Sequence, residues 1–161
     1  MLLTTPVVSN ETISKENLFD FLHSKQYLKT NFTQTTLVDL SERVVTGNIQ
    51  ASRSGNFKIE YHDPIKETIS ADNEFLYKLD TELEQLDIVP REEYFKNTPI
   101  SILISNIKNL KKLYSVNSCT KENLITVCSL STQDENSFVE KIFLQFVGTE
   151  LDSLTYTDSF G

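Results

Sequence analysis

Residues 36–62, TLVDLSERVVTGNIQASRSGNFKIEYH, decide the fold reading. They predict an antiparallel meander of three short strands over 37–46, 49–53 and 57–62. Gly47-Asn48 and Ser54-Gly55-Asn56 serve as turns, because glycine reaches the positive φ that tight hairpins need. The turn lengths fix which side chains share a face. A two-residue first loop with a three-residue second loop gathers Val38, Leu40, Val44, Ile49, Ala51, Phe57, Ile59 and Tyr61 on one side. Asp39, Ser41, Arg43, Gln50, Ser52, Lys58, Glu60 and His62 fall on the other, with Leu37 and Val45 as exceptions. The sheet is therefore expected to have one dry face and one wet face.

Working outward, 14–28 predict a helix capped by Ser14, with Leu18, Phe21, Leu22, Lys25 and Leu28 on its packing face. Asp63-Pro64 ends the meander. Ser70 is the expected cap of a second helix over 71–87, where Phe75, Leu76, Leu79, Leu83 and Leu86 recur at helical spacing. Pro90 can open one further helical turn, with Glu92 and Glu93 near its N-terminus. Residues 99–105 read as a buried strand, 106–114 as a helix, and 124–130 as a strand. Asp134 is the expected cap of a last helix carrying Phe138, Val139, Ile142, Phe143, Phe146 and Val147, closed by Gly148. The reading is a single α+β domain over 1–161: an antiparallel sheet built on the meander, helices packed mainly on one face, and loose ends at 1–10 and 149–161. Leu151, Leu154 and Tyr156 offer a short strand in the last segment.

The 161 residues carry 39% hydrophobic and 24% charged side chains, which suits a globular chain rather than a disordered one. The net charge of −8 argues against a nucleic-acid or anionic-membrane partner. Residues 60–96 hold eleven Asp and Glu against four Lys and Arg, so nearly all of that charge sits in one quarter of the chain. Only four glycines occur, which disfavours phosphate-cradling loops. The segment MLLTTPVV at the start lacks a basic stretch and a long apolar run, so it does not read as a signal peptide, and no run is long enough to span a membrane. Cys119 and Cys128, nine apart and without a neighbouring histidine, read as free thiols in a reducing compartment, hence cytosol or nucleus.

No nucleotide, hydrolase or zinc motif is present, and His23 and His62 have no mapped partner. No catalytic, cofactor-binding or metal residue is therefore assigned. Lys108, Lys111 and Lys112 form the one basic cluster, read as a solvated helix face. The expected function is non-catalytic: a small acidic adaptor or complex subunit binding another protein, with homodimerisation an option. Glu74, Glu82 and Glu84 on an acidic helix, and Phe138, Ile142 and Phe146 on an apolar stripe, are the candidate protein-binding residues. The element order is similar to that of small acidic type III secretion chaperones, from which the helix at 106–114 departs. That resemblance implies a dimeric chaperone holding a secreted or assembling protein in extended form. A small enzyme with a carboxylate-based site is the further alternative.

Overall fold

The computed structural model describes residues 12–160. A short helix α1 (Leu18–Ser24) precedes six strands: β1 (Tyr27–Val38), β2 (Ser41–Ser52), β3 (Phe57–Asp63), β4 (Glu67–Ala71), β5 (Phe75–Asp80) and β6 (Gln85–Pro90). Three short helices follow, α2 (Arg91–Lys96), α3 (Ser101–Ile104) and α4 (Ile107–Leu113), then β7 (Tyr114–Glu122), β8 (Ile125–Thr132), β9 (Val139–Val147) and β10 (Glu150–Asp158). The strands form two antiparallel sheets, a six-stranded meander β1 to β6 and a four-stranded sheet in the order β10-β9-β8-β7. With 56% strand and 16% helix, the expected α+β layer of helices on one sheet is corrected to a two-sheet, mostly antiparallel architecture. The segment at 1–10, expected as a loose end, lies outside the described residues.

The opening meander differs from its expected form in where it turns. Gly47-Asn48 lies in the middle of the twelve-residue β2, and the first hairpin turns at Asp39-Leu40, where both residues take positive φ (48° and 64°). Gly47 is required for close approach: a Cβ there would meet the Glu60 carbonyl and lie 2.9 Å from the Phe32 ring. The second turn spans more residues than expected, pairing Ala51 with Phe57 and Ile49 with Ile59. That shift of two preserves parity, so Ile49, Ala51, Phe57 and Ile59 remain together in the core. Because β2 runs through without a turn, Val45 is buried, and Val44, Val38 and Leu40 are exposed.

The expected helix at 71–87 is the β5–β6 strand pair, and the one at 134–148 is a loop followed by the single strand β9. In the first, aspartate side chains make turns instead of caps. Asp72 Oδ1 accepts from the Glu74 and Phe75 amides at 2.8 Å, and Asp80 Oδ1 accepts from Glu82 and Leu83 at 2.9 Å. The Asp72 bonds, joined by one from the Tyr77 hydroxyl, hold its carboxyl below the usual aspartate range. In the second, β9 buries Val139, Ile142, Leu144 and Phe146, and Gly148 (φ 61°) turns the chain into β10. Residues 101–104, expected as strand, form the buried helix α3. The expected helices at 14–28 and 106–114 exist in shortened form as α1 and α4. Leu18, Phe21 and Leu22 are buried on α1, and Asn106 caps α4 by accepting from the Asn109 amide at 2.9 Å.

One core lies between β8–β9 and helices α1 and α4; the other lies on the inner face of β2–β5. Helix α3 joins them, because Ile102 packs into the first while Ile100 and Ile104 pack into the second. Arg53 fastens this seam. Its Nε donates to the Lys25 carbonyl at 3.2 Å, and its Nη1 to the carbonyls of Ile102 and of Ser105, the latter at 3.1 Å. Burial lowers its pKa to about 10, a mark of how far the guanidinium is drawn from water.

Candidate functional site

The inner face of the six-stranded sheet is only half covered. At one end Phe57 stacks on Tyr94 (6.1 Å between ring centres) and touches Phe95, so α2 closes that half. β1 and β2 run on beyond β3, and over this uncovered half opens a cleft of about 600 Å³. Its wall includes Gln34, Thr36, Val38, Arg43, Val45 and Tyr61. These residues share the inner face because the register pairs Gln34 with Val45, Thr36 with Arg43 and Val38 with Ser41.

Aromatic rings lie at the covered end of the cleft. Phe32 meets Tyr61 edge to face at 5.6 Å, and the Tyr61 hydroxyl donates to Gln34 Oε1 at 3.3 Å. Tyr156 on β10 acts electrostatically on both Tyr61 and Tyr94. Burial first, then the neighbouring Glu67 and Tyr156, pushes the Tyr61 phenol above its ordinary value, and burial drives Tyr94 higher still. At the sheet's far end the inner face turns charged, with Lys78 Nζ 3.2 Å from Glu67. An apolar and aromatic floor with a hydroxyl, amide and charged margin suits a ligand with a greasy body and a polar head. No group of three or more metal-ligating side chains exists among the described residues.

The candidate residues from sequence are spread out. Glu74 lies in the β4–β5 turn and Glu82 and Glu84 in the β5–β6 turn, all exposed, on a strand pair rather than a helix. Phe138 is 39% exposed and packs on the Phe160 ring, whereas Ile142 and Phe146 are fully enclosed in the core. Lys108, Lys111 and Lys112 are on α4 as expected. The sequence reading missed the cleft residues because it placed a turn at Gly47 and a helix over Tyr27 and Leu28. Leu28, Phe32 and Val38, all at positions of one parity in an otherwise polar, threonine-rich run, are the available signal.

A family model described as outer membrane lipoprotein carrier protein LolA matches residues 23–161. The chain belongs to the LolA family. An outer-membrane lipoprotein carrier protein of Methylobacillus flagellatus is 26% identical over 148 residues, covering 91% of this chain and 72% of the relative. One from Neisseria meningitidis is 27% identical over 159 residues, covering 99% and 76%. A crystal structure of a LolA superfamily protein from Nitrosomonas europaea shares the fold, with a TM-score of 0.50 at 10% identity, over 93% of this chain and 74% of that one.

Family membership corrects the expected address. The relatives are carriers of outer-membrane lipoproteins, which places them in the periplasm, not the cytosol or nucleus. The expected free thiols are corrected with it: Cys119 and Cys128 are opposite each other on β7 and β8 and form a disulfide. A disulfide fits an oxidising compartment. A carrier family is also nearer to the chaperone alternative than to the adaptor reading.

Proposed function

We propose that this chain is a non-catalytic periplasmic carrier that shields the acyl chains of a lipid-modified protein in the open cleft over the inner face of its long sheet. The single observation that carries the reading is the half-covered inner face of the long sheet, where Val38, Val45 and Tyr61 line an open cleft instead of a filled core. Family membership supplies the cargo class. Each methylene moved from water to such a surface contributes about 0.8 kcal/mol, so roughly ten of them supply about 8 kcal/mol before ordering costs. The polar margin of Gln34, Thr36, Arg43 and Glu67 leaves the cargo's headgroup and peptide at the opening. The partner is accordingly another protein, and membrane contact enters with the cargo.

The test uses the inner and outer faces of one hairpin as probe and control. Val38 lines the cleft and Val44 points away from it, and both are exposed enough to change without disturbing the core. With a dansylated fatty acid as ligand, Val38→Asp should weaken binding at least fivefold and Val44→Asp less than twofold, with thermal midpoints alike. Equal effects of the two, or no binding by the parent chain, would overturn the reading.

A further inference from the structure

The β5–β6 hairpin is amphipathic in the reverse sense to the rest of its sheet. Its outer face carries Phe75, Tyr77 and Leu79 on β5, with Leu86 and Ile88 on β6. Leu79 stands opposite Leu86 and Tyr77 opposite Ile88. Phe75, Leu79, Leu86 and Ile88 are 41%, 39%, 54% and 56% exposed, and Leu83 at the tip is 72% exposed. Over β2 to β4 the same outer face is set with polar side chains such as Asn48, Gln50, Lys58, Glu60 and Ser70. The inner face of the hairpin holds Lys78, Asp80 and Asp87 as well as the buried Leu76. Scattered exposed leucines need no explanation, but a cross-strand apolar stripe confined to one hairpin does.

We propose that this stripe is a docking surface for a second protein that presents an apolar ridge flanked by lysine or arginine. The charge around the stripe selects that occupant. Glu74 is exposed at one end and Glu82 and Glu84 at the other. A second copy of this chain would bring acidic ends together in either orientation, and an anionic lipid surface would be repelled by both. A basic partner gains at both ends while covering the stripe, so the charges steer the encounter and the apolar side chains hold it. The surface lies on the opposite side of the sheet from the cleft, so the inference stands apart from the cargo reading and leaves the cleft free during docking.

The test measures fluorescence anisotropy with the full chain and two labelled amphipathic helical peptides, one of Leu and Lys and one of Leu and Glu. Variants Leu86→Thr with Ile88→Thr keep strand propensity at exposed positions. Glu82→Lys with Glu84→Lys reverses the charge at the tip, and Glu122→Lys with Glu140→Lys makes the same net change at exposed positions on the other sheet. The Leu-Lys peptide should bind and the Leu-Glu peptide should not. The threonine pair and the tip reversal should each weaken binding about tenfold, and the remote reversal less than twofold. Equal loss from both reversals would reduce the effect to general charge attraction and overturn the inference, as would full binding by the threonine pair. Sedimentation showing a dimer that the threonine pair dissolves would assign the stripe to a second copy and overturn it too.

Discussion

The Arg53 guanidinium donates to the Ser105 carbonyl oxygen at 3.1 Å, joining the turn after β2 to the end of α3. The same side chain reaches the Ile102 and Lys25 carbonyls, so one cation ties the long sheet to α3 and to the end of α1. Hydrogen bonds to a charged group contribute about 1.5–3 kcal/mol when their partners have no water to turn to. Replacing Arg53 with methionine should lower unfolding free energy by about 2–3 kcal/mol in urea titration. Lysine, with a point charge in place of the fork, should recover less than half of that. An unchanged midpoint for the methionine variant would show that α3 is held by apolar packing alone.

The Cys119–Cys128 bridge links directly paired residues nine apart. Closing so short a loop in the unfolded chain is expected to contribute about 2–3 kcal/mol. Dithiothreitol should lower the thermal midpoint, and replacing both cysteines with alanine should reproduce the lowered value and abolish the response to reductant. Intact mass after alkylation under native, non-reducing conditions should show no added groups.

Four phenols, those of Tyr61, Tyr94, Tyr114 and Tyr156, are raised above their ordinary value, each chiefly by burial. The native state therefore holds protons that the unfolded chain releases near pH 10, so stability is fully present below that pH and falls as pH rises through it. Ultraviolet titration should show delayed phenolate formation followed by a cooperative step as the protein unfolds. Arg53, above about pH 10, and Arg91 act in the opposite direction, because burial lowers their pKa values, but they are two groups against these four.

Gly47 leaves no room for a side chain beside the Glu60 carbonyl and the Phe32 ring. Since the nearest obstacle is backbone, Gly47→Ala should destabilise by about 1–3 kcal/mol. Chemical denaturation checks this, and a neutral outcome would mean that β2 and β3 can separate at low cost.

Leu40 sits at φ 64° in the β1–β2 turn and is wholly exposed. A leucine in left-handed geometry is strained by roughly 1–2 kcal/mol, which glycine relieves while adding unfolded-state freedom. Leu40→Gly should raise unfolding free energy by about 0.5–1 kcal/mol, read from the denaturant midpoint.

Some of this architecture is written locally. The Asn106 cap, the apolar face of Leu18, Phe21 and Leu22, the stop at Asp63-Pro64 and the shared parity of Ile49, Ala51, Phe57 and Ile59 depend on residues near one another in the chain. Each follows from side-chain chemistry that neighbours alone can satisfy. The cleft was not legible, because its walls come from β1 and β2 running on beyond β3, with Tyr61 and Glu67 brought to them by strand pairing across the sheet.

The segments around Phe75–Leu86 and Phe138–Val147 belong to tertiary structure. Both faces of those strands carry large apolar residues, one inward and one outward, and that arrangement satisfies a helical spacing as well as an alternating one. Asp72 and Asp80 can cap a helix or close a turn with the same oxygen. What decides between the two is whether a neighbouring strand offers its backbone, and that neighbour is fixed by the sheet. Cys119 and Cys128 follow the same logic: a spacing of nine has no meaning until the pairing of β7 with β8 sets them opposite each other. Residue chemistry determined which positions avoid water, while long-range hydrogen-bond partners decided which backbone shape delivered them there.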